Sequence, residues 1–101
     1  MPKLIIVSKW LMPFGYGICL RHHLIVRRDS KDLVYVVAHE LTHWEQWILE
    51  GSYIKWLAKY FIELIHVGYG DNRYEQEARR RGSEFAMRQR AKDLINEVTS
   101  I

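Results

Sequence analysis

The chain has little of what staples or punctuates a small fold. It carries one cysteine and two prolines in 101 residues, so an internal disulfide is excluded and the fold must rest on its core. Cys19 lies in an apolar stretch and reads as a small buried residue rather than a nucleophile. A lone thiol fits a reducing compartment. The N-terminus also lacks a signal-type apolar core, because Leu4 to Val7 is short and is followed by Ser8 and Lys9; a cytoplasmic location is the expectation. No long apolar run is present either. The longest, Trp56 to Val67, is interrupted by Lys59 and Glu63, which argues against a membrane span. Repeats, low-complexity tracts and linkers are missing, so residues 1–101 read as one domain.

A strong charge of one sign is lacking as well. Fifteen Lys and Arg stand against twelve Asp and Glu, a net charge of +3, which is too small an excess to argue for nucleic acid as a partner. Arg27-Arg28 and Arg79-Arg80-Arg81 read as solvated faces with ion pairs.

What the chain does have is apolar and aromatic material: 49% hydrophobic and 13% aromatic residues, enough for one compact core. Leu4 to Val7 reads as a short strand, and Met12 to Gly17 as a loop. Ile18 to Arg28 reads as one strand or a hairpin. Asp29-Ser30-Lys31-Asp32 supplies polar caps for a helix start. Apolar residues then recur at helical spacing from Leu33 to Ile48, and Gly51 ends the helix. A second helix is expected from about Ser52 to His66. A third is expected from near Asn72 to about Val98. Strands first and helices after predict an α+β fold, a small N-terminal sheet followed by three helices.

The first helix contains His39-Glu40-Leu41-Thr42-His43. Residues four apart share a helix face, so both imidazoles can reach one ion. Zinc suits neutral imidazole ligands and keeps a position open for water when three protein ligands bind, although the choice over other divalent metals rests on ligand type. Glu40, beside the first histidine, is placed to act as general base toward that water. The uncharged Val36-Val37-Ala38 and Leu41-Thr42 mark a core-facing helix, where two histidines and a glutamate need partners.

A third ligand must come from farther along, because Gln46 and Leu49 stand where the extended motif has Gly and a third His. In Asn72 to Ala78, Glu75 shares a face with Ala78, Gly82, Phe85 and Ala86. Glu77 shares one with Arg81, Glu84 and Arg88, which reads as solvated. Residues two apart point in nearly opposite directions, so Glu75 is the expected ligand and Glu77 the competitor. The alternative for Glu75 is a capping box with Asn72; for Glu77 it is an ion pair with Arg81. His22, His23 and His66 read as structural.

On His39-Glu40-Leu41-Thr42-His43-Trp44-Glu45-Gln46 and Tyr74-Glu75-Gln76-Glu77-Ala78, the chain resembles the gluzincin metallopeptidases, and most closely their minimal, single-domain members, the minigluzincins. The resemblance implies a zincin-like fold, one zinc held by His39, His43 and Glu75, and hydrolysis of a peptide or protein substrate with Glu40 as the catalytic base. It also implies an edge strand above the metal that binds an extended peptide, for which Leu24 to Arg28 is the candidate. Related gluzincins often have an acidic residue four places after the glutamate ligand, where it orients a zinc histidine. Arg79 stands there, so orientation must come from another group. Tyr69, Tyr74 and His66 are the candidates to stabilise an oxyanion. The competing expectation is a zinc-stabilised binding module with little catalysis. A nucleic-acid role ranks below both.

Overall fold

A computed structural model describes residues 1–99. Three strands come first: β1 (Lys3–Val7), β2 (Gly17–Leu20) and β3 (His23–Arg27). They form a sheet in the order β1-β3-β2, with β1 parallel and β2 antiparallel to β3. The run from Ile18 to Arg28 is therefore a hairpin. It turns at Arg21, whose φ of 56° is the left-handed conformation a tight connection needs. Leu24 and Val26, on one face of β3, are fully buried, as the period of two requires of a central strand over a core.

Four helices follow among the described residues, not three: α1 (Leu33–Glu50), α2 (Tyr53–Asp71), α3 (Arg73–Gly82) and α4 (Phe85–Thr99). The Asp32 side chain accepts from the Tyr35 amide at the start of α1, and Gly51 closes it in the left-handed conformation, φ 86°. Helix α2 begins on Ser52 and runs five residues beyond the expected end, with non-helical backbone at Gly68, φ 79°. Asn72 caps α3 by accepting from the amides of Tyr74 and Glu75.

The expected third helix divides at Ser83. Two effects account for the break. Gly82 packs so closely on α1 that a Cβ there would lie 3.0 Å from Tyr35 Cε2, and Ser83 and Glu84 turn back to the carbonyls of Arg80 and Arg81. The chain then leaves in a new direction, so the expected face from Glu75 holds only as far as Gly82. Phe85 is 83% exposed, and Met87, Ala91 and Leu94 instead bury α4.

Helix α1 lies at the centre, packed on the sheet and on the other three helices. The core joins Leu24 and Val26 of β3 to Val37, Ala38, Leu41 and Trp47 of α1, Trp56 of α2, and Met87, Ala91 and Leu94 of α4. No helix among the described residues is long and apolar enough to cross a membrane.

Candidate metal centre

His39 and His43 lie one turn apart on the face of α1 that looks toward α2 and α3. Glu75, in the first turn of α3, comes to meet them. Its Oε1 is 2.8 Å from His39 Nε2 and 3.1 Å from His43 Nε2. All three side chains are buried. They form the one group of three His, Cys, Asp or Glu residues among those described whose donor atoms could share a metal ion, all within 4.8 Å of one another. Two ligands about 2.1 Å from one ion at a tetrahedral angle would lie about 3.4 Å apart, so the 2.8 and 3.1 Å separations would have to widen slightly around an ion.

Glu75 is thus turned inward and does not complete a capping box. Its Oε2 accepts a hydrogen bond from the Tyr60 hydroxyl of α2. Burial alone would push the Glu75 carboxyl up, but its polar contacts with the His39 and His43 rings outweigh it and hold the group below the usual carboxylate range. Burial likewise works to lower the His43 pKa, and the bond to Glu75 with the nearby Glu40 charge raises it overall. Glu40 is buried beside the pair, and desolvation pushes its carboxyl up against the pull of both histidines.

The tautomer of His43 follows from the amide of Gln46, the residue that stands where the extended motif has Gly. Gln46 Oε1 lies 2.8 Å from His43 Nδ1 and accepts from Trp56 Nε1 at 3.1 Å. Gln46 Nε2 donates to the Tyr74 carbonyl at 2.9 Å and to Glu77 Oε1 at 2.8 Å. An indole N–H can only donate, so the amide oxygen must face Trp56, and with it His43. His43 therefore carries its proton on Nδ1 and turns Nε2 toward the Glu75 carboxylate. A bare nitrogen facing a carboxylate oxygen at 3.1 Å is repulsive unless a cation lies between them. A second proton or a metal ion would serve. Two imidazole nitrogens and a carboxylate are a donor set that could hold a divalent metal ion.

These groups sit in a cleft of about 820 Å³ bounded by β2, α1, α2 and α3, with Tyr16, Leu57, Tyr60, Phe61, Tyr69 and Arg79 among its lining. The strand beside it is β2, one of the two edge strands; Leu24 to Arg28, expected there, corresponds to the central strand β3, because β1 occupies its other side. Gly17 of β2 approaches α1 so closely that a Cβ would fall 3.0 Å from Glu40 Cγ and 2.9 Å from Val36 Cγ1.

Of the three residues considered for an oxyanion, Tyr69 lines the cleft. Tyr74 is not in its lining and packs on Trp56 and Tyr60 instead. His66 is exposed and bonds the Ile62 carbonyl. Arg79 turns to the Gly70 carbonyl, 2.7 Å away, and His39 Nδ1 has no hydrogen-bond partner among the described residues. Glu77 is not paired with Arg81, which bonds Glu45 at 2.8 Å. His22 meets Trp44 and Trp47, away from the cleft. Cys19 is buried on β2, and burial pushes its thiol up to about 12, which makes it a poor nucleophile.

Comparison of the chain with models of protein families, with curated proteins and with solved structures found no match.

Proposed function

We propose that the chain is a zinc-dependent peptidase of the gluzincin type, with His39, His43 and Glu75 as ligands and Glu40 as general base. The observation that carries this reading is the convergence of two imidazole nitrogens and one carboxylate on a single point in a cleft, with a second buried carboxylate beside it. Zinc bound there would supply a Lewis acid toward a carbonyl oxygen and lower the pKa of a water.

The chain's own residues do the rest. Glu40, its pKa raised by burial, accepts the proton of the attacking water and passes it to the leaving amine. Strand β2 pairs with β3 on one side, and its other edge, where the Cys19 carbonyl accepts from the Tyr53 hydroxyl at 3.0 Å, would align an extended peptide by strand addition once that bond is displaced. Tyr60 holds Glu75 in its ligating orientation, and Gly17 keeps the strand close to Glu40. Tyr69 and Arg79 line the cleft and are the residues of choice to steady a developing oxyanion.

The test is Glu40→Gln, measured against a quenched-fluorescence peptide library and by zinc content. The variant should keep its zinc and lose about 10²–10⁴-fold in hydrolysis. Full activity in that variant would sink the mechanism.

A second reading is a zinc-stabilised binding module. The partnerless His39 Nδ1 favours it, since ligand orientation supports catalytic efficiency. In that case chelation lowers the melting temperature, yet the wild type cuts no member of the library.

A further inference from the structure

We infer that Glu77, acting through Gln46, is a positioning residue that fixes His43 as a ligand, so that the affinity of the site for its metal is set by two side chains that do not touch it. The inference rests on the metal-site reading above.

Three helices meet at one buried amide. Gln46 comes from α1, three residues after His43 and on the same face. Trp56 reaches it from α2, and Tyr74 and Glu77 from α3. Every position on the amide is used with the right polarity: two donors face its oxygen and two acceptors face its nitrogen. Rotating the amide by half a turn would set an N–H group against the Trp56 indole N–H and its oxygen against a carbonyl and a carboxylate. Those three bonds would be lost at once, the one to Trp56 in a buried place.

Glu77 is the charged member, and its Oε1 accepts from Gln46 at 2.8 Å. Its other recorded partner is Arg80, 3.9 Å away on the exposed side of α3. It therefore anchors Gln46 Nε2 with a charge-assisted bond, and Gln46 passes the constraint to the Nδ1 proton of His43. The pair supplies through an intervening amide what a carboxylate would supply by bonding the histidine directly.

The two histidines are consequently unequal. His43 is held by a hydrogen bond on the side away from the site. His39 has none there among the described residues, and its ring packs against Tyr35 with centroids 5.8 Å apart. Removing the amide should therefore loosen one specific ligand.

The experiment is zinc affinity by competition with a chromophoric chelator, together with the d–d absorption of the cobalt(II)-loaded protein. Wild type is compared with Gln46→Met, Glu77→Leu, Glu77→Gln and, as control, Gln76→Met on the exposed side of α3. Gln46→Met should bind zinc about 10–100-fold more weakly. Glu77→Leu should lose about 2–10-fold, the worth of one hydrogen bond. Glu77→Gln, which can still offer an oxygen to Gln46, should lie close to wild type, as should Gln76→Met. The cobalt bands should shift in the first two variants alone.

Wild-type affinity and an unshifted cobalt spectrum in Gln46→Met would overturn the inference. If that variant does not fold, Glu77→Leu decides in the same way. A wild type that binds neither zinc nor cobalt overturns the metal-site reading and this inference with it. Binding by wild type with no change in the variants overturns the inference alone.

Discussion

Helices α1 and α2 both line the cleft, but they are attached to the molecule very differently. Nine of the 18 residues of α1 are buried, and they include both histidines, Glu40 and Gln46; of the 19 residues of α2, only Trp56 is buried. Helix α2 leaves Ile54, Phe61, Ile62 and Ile65 substantially exposed. Its polar ties to the site are the indole of Trp56 on Gln46 and the hydroxyl of Tyr60 on Glu75. The candidate site residues thus lie mostly on the more deeply buried helix, and much of the cleft wall on a more exposed one. Local stability follows burial, so the wall is expected to open more readily than the floor.

The comparison can be broken first at the floor. Leu41→Ala, at a fully buried position between the two histidines, should cost about 2–5 kcal/mol in denaturant unfolding. A loss under about 1 kcal/mol would mean that α1 is no better anchored than α2.

Gly17→Ala tests the contact of β2 with the same helix. The added methyl meets Val36 and Glu40, so the variant should lose about 1–3 kcal/mol of stability. It should also hydrolyse peptide more slowly while keeping its zinc. Unchanged turnover would show that β2 does not constrain Glu40.

Tyr60→Phe sharpens the account from the other side, by cutting one of the two polar ties of α2 to the site. Zinc affinity should fall by about 1 kcal/mol, the scale of one hydrogen bond. A chelator titration identical to wild type would separate α2 from the site. Ile65→Gln, at an 81% exposed position of α2, should change stability by less than about 0.5 kcal/mol. A larger loss would indicate that this face is covered in solution.

How much of this was legible in the sequence follows the same division. His39, Glu40 and His43 could be read because their relation is local, being set by the pitch of one helix. Glu75 was reachable because two residues apart on α3 cannot both face inward. That argument leaned partly on Phe85 and Ala86, which belong to α4, and it held because the helix stays regular through Gly82. Gln46 carried a usable signal, lying one turn beyond His43 on the same face. Its meaning depended on Trp56 and Glu77 arriving from other helices, and spacing does not encode that. Glu77 was read as solvated, and its side chain is 42% exposed; its bond to Gln46 was out of reach of spacing for the same reason. Tyr60 stands in a run rich in apolar residues, and only the packing of α2 aims its hydroxyl at Glu75. The edge strand was misplaced because β1 pairs in parallel with β3, a long-range choice that fixes which strand is central.

The central claim is that His39, His43 and Glu75 hold one zinc ion. The direct measurement is elemental analysis of wild type and Glu75→Ala, purified without a metal-binding tag and dialysed after exposure to zinc. The account predicts one zinc per wild-type chain and none in Glu75→Ala. A folded wild type that retains no zinc would contradict it.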